Sequence, residues 1–121
     1  MPLVRPLAAL LAAVAFAGCG GPGPVTEVRQ NRLRITLDDF LIAPQHVRAE
    51  RGELTIAVTN GGRLGHNFRL RSENRELLEV TTLLPGEEAT EAVDLEPGRY
   101  TMLCTVANHE QLGMTGRIVV R

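Results

Sequence analysis

Over most of the chain, apolar and polar residues alternate in short runs, and this period of two is the feature that most constrains the fold. The clearest runs lie at residues 33–37, 54–58, 66–70, 100–104 and 117–121. Such alternation is typical of a strand with one buried face. Glycine and proline turns, such as Pro85-Gly86 and Pro97-Gly98, separate the runs. About seven or eight short strands between such turns predict an all-β sandwich or small barrel.

The stretch from Ser72 to Val80 departs from this pattern. Its sequence, Ser-Glu-Asn-Arg-Glu-Leu-Leu-Glu-Val, places two adjacent leucines between glutamates and has no period of two. We therefore expect a loop there, with room for a turn or two of helix. The chain has no Trp, one Tyr and three Phe, so its core must be built from Val, Ile, Leu and Ala.

The N-terminus has the proportions of an export signal, which we assign to residues 1–18. Arg5 precedes an apolar run at residues 7–17, which is too short to span a membrane as a helix. The run ends in Ala-Gly-Cys19, which resembles the lipobox of bacterial lipoproteins except at Phe16, where Leu is usual. We therefore predict lipidation of Cys19. An ordinary secreted protein and a retained N-terminal anchor are the alternatives, and all three place the domain outside the cytoplasm.

Glycine and proline dominate residues 20–24, and neither continues a helix or suits a central strand. We predict a flexible linker at residues 19–32 that tethers one folded domain, residues 33–121, to a membrane through Cys19. The formal net charge is −1 and the thirteen basic residues are scattered. Because binding to nucleic acid requires a concentrated basic face, we expect no nucleic-acid partner. We also expect a monomer.

One short segment near the C-terminus concentrates side chains that bind soft metals. It places Cys104, His109 and Met114 at intervals of five residues, and His66 lies upstream. Two imidazoles and a thiolate with a weak axial thioether describe a blue-copper electron-transfer centre. The sulfur ligands favour Cu(I), and the imidazoles serve Cu(II) as well.

The period of two also predicts where two of these side chains point. His66 shares a strand face with Phe68, and Cys104 shares one with Tyr100 and Met102. If both faces point inward, both ligands enter the interior from the ends of different strands. The loop that follows Cys104 then supplies the other two ligands at one end of the sandwich.

Each of these residues has an ordinary alternative when taken alone. Cys104 could be a core thiol, and His66 a hydrogen-bonded core histidine. His109 could be an exposed loop residue, and Met114 a packing residue. A disulfide between Cys19 and Cys104 is formally possible. The combination of four such residues at this spacing favours a copper site over four separate structural roles.

The chain resembles the cupredoxins, the plastocyanin/azurin group, in one extended pattern: His66-Asn67, followed by Gly98-x-Tyr100-x-x-x-Cys104-x-x-x-x-His109-x-x-x-x-Met114-x-Gly116. The resemblance covers residues 33–121, and the spacing looks most like the auracyanin and rusticyanin type. It implies a Greek-key β-sandwich that holds one copper ion per chain. By resemblance, the equatorial ligands are His66, Cys104 and His109, and the axial ligand is Met114.

The resemblance has two further implications for the site. Family members carry an asparagine after the first histidine that braces the thiolate loop, and Asn67 matches that position. In azurins the carbonyl before the first histidine approaches the metal weakly, which makes Gly65 a candidate for such a contact. The chain departs from many relatives at residues 106–108, where Val-Ala-Asn replaces a Pro-Gly pair.

We expect the protein to carry single electrons between membrane or periplasmic redox partners rather than to act as an enzyme. The partners would dock near His109, the ligand nearest to solvent, on an apolar patch formed by Val106, Ala107 and Leu112. Storage or delivery of copper outside the cytoplasm is the alternative, although the extra Met and His tracts typical of it are missing. An enzyme would require further histidine clusters or a second Cys near Cys104, and the sequence contains neither.

Overall fold

A computed structural model of the chain describes residues 1–3 and 23–121. Those residues form ten strands and no helix. The strands are β1 (Thr26–Glu27), β2 (Arg32–Asp38), β3 (Leu41–Ala43), β4 (His46–Ala49), β5 (Gly52–Asn60), β6 (His66–Ser72), β7 (Arg75–Leu83), β8 (Glu88–Leu95), β9 (Gly98–Leu103) and β10 (Thr115–Val120).

The strands form two sheets, and the predicted all-β sandwich is confirmed. One sheet has six strands in the order β1-β4-β10-β9-β6-β7, and the other has four in the order β3-β2-β5-β8. Three of the pairings, β1 with β4, β4 with β10 and β2 with β5, are parallel. The count exceeds the predicted seven or eight because β1 and β3 have only two and three residues.

The core lies between the sheets and is built from the apolar positions of the period-two runs. In β2 the inward residues are Leu33, Ile35 and Leu37, all buried, and the residues between them are exposed. Corresponding faces of β5, β6, β9 and β10 close the same cluster. Burying one aliphatic side chain contributes about 1.5–3 kcal/mol, so this pattern is the main determinant of strand register.

The prediction of a loop at residues 72–80 is wrong. β6 ends at Ser72, a tight turn follows in which Glu73 has a φ of 52°, and β7 begins at Arg75. β7 lies at the sheet edge, and Arg69 of β6 pairs with Glu76 and Glu79 on it. Register shifts between β6 and β7 interrupt the alternation, so an exposed, charged edge strand carries no clear period in its sequence.

The N-terminal end differs from the expected boundaries in one respect. β1 lies within the predicted linker at residues 19–32 and pairs in register with β4, so the sheet includes residues ahead of Leu33. The predicted lipidation site Cys19 and nearly all of the predicted signal at residues 1–18 lie outside the described residues. In the part of the chain that the structure describes, we find no apolar helix of the length that a membrane crossing requires.

Candidate metal centre

Three predicted ligands converge at one end of the sandwich. The Nδ1 atoms of His66 and His109 are 3.1 Å apart, and Cys104 Sγ lies 4.0 Å and 3.7 Å from them, respectively. The thiol of Cys104 is free and, like the His66 side chain, has no exposed surface, whereas His109 is 6% exposed. Among the described residues, these three form the one cluster of potential metal ligands.

The spacing of the three donor atoms fits a first-row metal ion. Bonds of about 2.0 Å to imidazole nitrogen and about 2.3 Å to thiolate sulfur are typical of zinc sites. At trigonal angles such bonds separate the nitrogens by about 3.5 Å and each nitrogen from the sulfur by about 3.8 Å. The two nitrogen–sulfur separations lie on either side of the expected value, and the nitrogen–nitrogen separation of 3.1 Å is shorter than expected. Thiolate and imidazole donors together suit copper.

Each ligand is positioned by the end of a strand. His66 opens β6, and the inward face that it shares with Phe68 places its ring in the core. Cys104 directly follows β9, on the face of Tyr100 and Met102, and both of those side chains are buried. The predicted inward parity of both strands is therefore confirmed. Met102 packs in the core, as expected.

The segment from Cys104 to Met114 is held by its own backbone. The Cys104 N–H donates to the Met114 carbonyl over 3.1 Å, and the Met114 N–H donates to the His109 carbonyl over 3.1 Å. The His109 N–H donates to the Val106 carbonyl over 3.0 Å. The Met114 side chain has no exposed surface. These bonds close the segment into a compact loop that places His109 opposite Cys104.

Asn67 contacts the loop that follows Cys104, as the family resemblance implies. Its Oδ1 accepts the Thr105 N–H at 2.7 Å, and its Nδ2 donates to Thr105 Oγ1 at 2.8 Å. Asn67 lies on the outward face of β6 and is 8% exposed. This two-point contact ties the first residue of the loop to the strand that carries His66.

Phe40 also contacts the site. Its ring packs edge-on against His109, with centroids 5.1 Å apart. Gly113 lies at the other side of the loop with a φ of 117°, where a Cβ would stand 3.3 Å from the Phe40 carbonyl. A glycine is therefore favoured there both by the backbone conformation and by the close approach.

Two residues are less central to the site. Gly65 lies directly before His66, and the contact of its carbonyl with a metal stays a prediction. His46, the remaining histidine of the chain, is half-buried in β4 and lies outside the ligand cluster.

Sequence reasoning missed Asp39. This residue lies in the turn between β2 and β3, and its Oδ1 is 2.7 Å from Nε2 of His66. The carboxylate also accepts the N–H groups of Arg63, at 2.9 Å, and Leu64, at 3.3 Å. Two hydrogen bonds hold the pKa of Asp39 below its usual range. The bond from the Arg63 N–H has the larger effect, and the bond with His66 comes next. The sequence signal was weak, because an aspartate after a strand is equally typical of a turn.

Asn60, at the end of β5, was also missed, and it organises the loop between β5 and β6. Its Nδ2 donates to the carbonyls of Leu64 and Leu83, both at 2.8 Å, and its Oδ1 accepts the Gly62 N–H at 2.9 Å. The side chain is fully buried. The sequence showed Asn60 only as the start of an Asn-Gly-Gly turn, which indicates a loop but not its tertiary partners.

Comparison with known proteins supports the identification of the site. The model of the family described as copper binding proteins, plastocyanin/azurin family, matches residues 30–121. A search of curated protein sequences gives no match.

Solved structures similar to this chain include dithionite-reduced auracyanin from the photosynthetic bacterium Roseiflexus castenholzii, with a TM-score of 0.68 at 17% identity over 75% of this chain and 97% of that one. Auracyanin A, a "blue" copper protein from Chloroflexus aurantiacus, has a TM-score of 0.64 at 16% identity over 81% and 100%. Reduced rusticyanin has a TM-score of 0.65 at 14% identity over 84% and 87%. At these identities the likeness shows the fold.

Proposed function

Since this chain belongs to the plastocyanin/azurin family of copper-binding proteins, we propose that it is a blue copper protein that carries single electrons between redox partners outside the cytoplasm. The observation that carries this proposal is the convergence of His66, Cys104 and His109 in a buried cluster. A buried thiolate with two imidazoles is the donor set of such a centre, and copper supplies a one-electron couple when bound there.

In this proposal His66, Cys104 and His109 are the equatorial ligands of one copper ion and Met114 is the axial ligand. The scaffold keeps these donors in place when the charge of the ion changes. Cys104 is fixed by β9 and by its N–H bond to Met114, and His66 is fixed by β6. A site that rearranges little between oxidation states exchanges electrons at low cost. Support for Met114 comes from its complete burial and its place in the loop.

The test is an absorption and EPR spectrum of the chain loaded with one equivalent of Cu(II), followed by voltammetry. We expect an intense visible band from thiolate-to-copper charge transfer and a reversible one-electron couple. A colourless Cu(II) form contradicts the proposal. Transfer of Cu(I) to a copper acceptor without redox cycling would support storage or delivery instead.

The surface around His109 supports docking of a redox partner there. Within residues 23–121, four exposed leucines lie at the end of the sandwich that carries the ligand cluster: Leu41, Leu64, Leu84 and Leu112. We call this set the leucine rim. Each of its members is 44–60% exposed. Val106, expected in the docking patch, is half-buried against the core and contributes less than the rim does.

The arrangement of the leucine rim suits a weak and short-lived complex. The rim brings apolar surface from β3 and three loops to the end of the sandwich that carries His109, the most exposed of the four proposed ligands. Electron-transfer complexes have small interfaces, and such a surface excludes water without a large buried area. We propose that a partner redox protein docks on the rim and that electrons pass through His109.

We also propose that lipidation of Cys19 anchors the protein to a membrane surface. Support comes from the Ala-Gly-Cys19 sequence after an apolar run. Expression in a bacterial host with a labelled fatty acid tests it. The unaltered chain should take up the label and sediment with membranes, whereas Cys19→Ser should do neither. Equal labelling of the two chains contradicts the anchor.

A further inference from the structure

His66 offers only one ring nitrogen to the proposed copper, and Asp39 decides which one. The Asp39 Oδ1 lies 2.7 Å from His66 Nε2. An ionised carboxylate can only accept hydrogen bonds, so Nε2 must carry a proton. In a neutral imidazole the other nitrogen then has a free lone pair. That nitrogen, Nδ1, is the atom that faces Cys104 and His109.

The position of Asp39 is itself specified by the loop between β5 and β6. The N–H groups of Arg63 and Leu64 both donate to its carboxylate. The Asp39 side chain is only 23% exposed and His66 is not exposed at all, so water screens this pair less than it screens a surface pair. The carboxylate is therefore aimed at the histidine from a fixed direction.

Gly62 supplies the space that this contact requires. A Cβ on Gly62 would overlap Asp39 Oδ1 and would stand 3.0 Å from His66 Nε2. Its φ lies outside the left-handed region that favours glycine, so the backbone does not require a glycine there. The absence of a side chain at this position is explained by the approach of the carboxylate to the imidazole.

From this geometry we propose that Asp39 is a positioning residue of the metal centre, which fixes the Nε2–H tautomer of His66 and lowers the reduction potential of the bound copper. A carboxylate hydrogen-bonded to a ligand histidine orients the ring and makes it a stronger donor. Its negative charge also stabilises Cu(II) more than Cu(I), because the attraction grows with the charge of the ion. This role rests on the proposed copper-carrying function.

The variant that tests the role is Asp39→Asn, and Asp38→Asn is its matched control. Asp38 is exposed, and its substitution removes the same charge. Its carboxylate accepts the Asp39 N–H at 2.8 Å instead of bonding His66. Loss of such a partner typically weakens metal binding by roughly 10–100-fold. The substitution should weaken Cu(II) binding more than Cu(I) binding. For each factor of ten between these two losses of affinity, the reduction potential of the bound copper should rise by about 59 mV. Equal potentials of the two variants would overturn the role.

A second variant separates the contact from the charge and from folding defects. Gly62→Ala keeps the Asp39 carboxylate but displaces it from His66, so its potential should rise in the same direction as that of Asp39→Asn. A folded Gly62→Ala chain with the potential of the unaltered chain overturns the proposal, as it would show that the contact has no effect on the metal.

The third measurement needs no copper. Imidazole ¹⁵N shifts of the metal-free chain distinguish a protonated ring nitrogen from a bare one. His66 should show a single Nε2–H tautomer, and Asp39→Asn should show a mixture. A Nδ1–H tautomer in the unaltered chain overturns the proposal even if the copper form is blue. A colourless copper form with the Nε2–H tautomer intact would instead count against the copper function alone.

Discussion

At the scale of single residues, the site depends on side chains that satisfy buried backbone groups. Asn67 is the clearest case, because one amide both accepts from and donates to Thr105. Such a pair of bonds holds the start of the ligand loop without any contact to a metal. We therefore expect Asn67 to affect how firmly the Cys104 thiolate is held rather than what is bound.

Asn67→Ala should keep copper binding but shift its potential and loosen the loop. The substitution leaves the partly buried Thr105 N–H without its side-chain partner, which costs up to about 1–3 kcal/mol. Urea unfolding of the metal-free chain measures the loss, and voltammetry measures the shift. Asn108→Ala, on the exposed part of the same loop, is the control and should unfold like the unaltered chain. Identical stability and potential in Asn67→Ala would remove its bracing role.

Cys104→Ser should abolish the visible band while leaving the fold intact. A hydroxyl is a far weaker donor for copper than a thiolate, and the charge transfer that gives the colour requires the sulfur. The two side chains have similar size, so the buried position stays filled. An absorption spectrum of the copper-loaded variant checks the colour and circular dichroism checks the fold. A persisting intense band would mean that another residue supplies the sulfur ligand.

At the scale of elements, Asn60 joins the end of β5 to the loop before β6 and to the end of β7. It bonds Leu64 in the loop before β6 and Leu83 at the end of β7. The strand that carries His66 is thus fixed relative to two neighbours by one buried side chain. Asp39 depends on the same loop, since its backbone donors are Arg63 and Leu64.

Asn60→Ala should destabilise the metal-free chain by about 1–3 kcal/mol, because one fully buried amide bonds three backbone groups and its bond to the Leu83 carbonyl is itself buried. Chemical unfolding measures the change. Asn74→Ala, at the exposed turn between β6 and β7, should have almost no effect. If the two variants unfold alike, the loop must satisfy its backbone groups without Asn60.

The elements also show where prediction from sequence succeeds and where it stops. Period-two runs such as residues 33–37 were predictable because burial of every second side chain appears in the sequence as an alternation of apolar and polar residues. β7 was not, because it is a mostly exposed, charged edge strand whose pairing with β6 includes register shifts. The four ligand candidates could be found because their spacing and chemical type are visible in the sequence. Asp39 and Asn60 could not, since their roles depend on which loops meet in space.

At the scale of the whole molecule, the sandwich has two different ends. The ligand cluster and the leucine rim lie at one end, and the turn at Glu73–Asn74 lies at the other, because β6 starts at His66 and ends at Ser72. In the proposed function, this polarity places the contact with partners at one end while the sheets supply stability. It also makes effects on docking separable from effects on folding.

Leu112→Asp should slow electron self-exchange between oxidised and reduced copies of this chain. Two like charges about 7 Å apart in water repel by about 0.6 kcal/mol, which lowers the rate about threefold if the two rims meet. Line broadening in NMR spectra of mixed oxidation states measures the rate. Asn74→Asp adds the same charge at the opposite end and should leave the rate almost unchanged. Equal slowing by both variants would show that net charge, not the rim, controls the encounter.

Copper should stabilise the whole domain, because its proposed ligands come from both β6 and the segment after β9. Binding at a thousandfold excess over the dissociation constant contributes about 4.1 kcal/mol. For a domain of about 100 residues this raises the melting temperature by about 15–30 °C. Calorimetry before and after removal of copper with a chelator measures the shift, and Cys104→Ser should show little of it. An unchanged melting temperature would mean that the ligands do not share one ion.

The closed loop between Cys104 and Met114 has a consequence for how the metal comes and goes. Cys104 and His66 have no exposed surface, and His109 is only 6% exposed. The Cys104–Met114 and Met114–His109 backbone bonds hold the loop over these residues closed. We therefore expect loading and release of an ion at this site to require opening of the loop. The rate at which a chelator removes the metal then measures the rate of that opening. This rate should be independent of chelator concentration once the chelator is in excess.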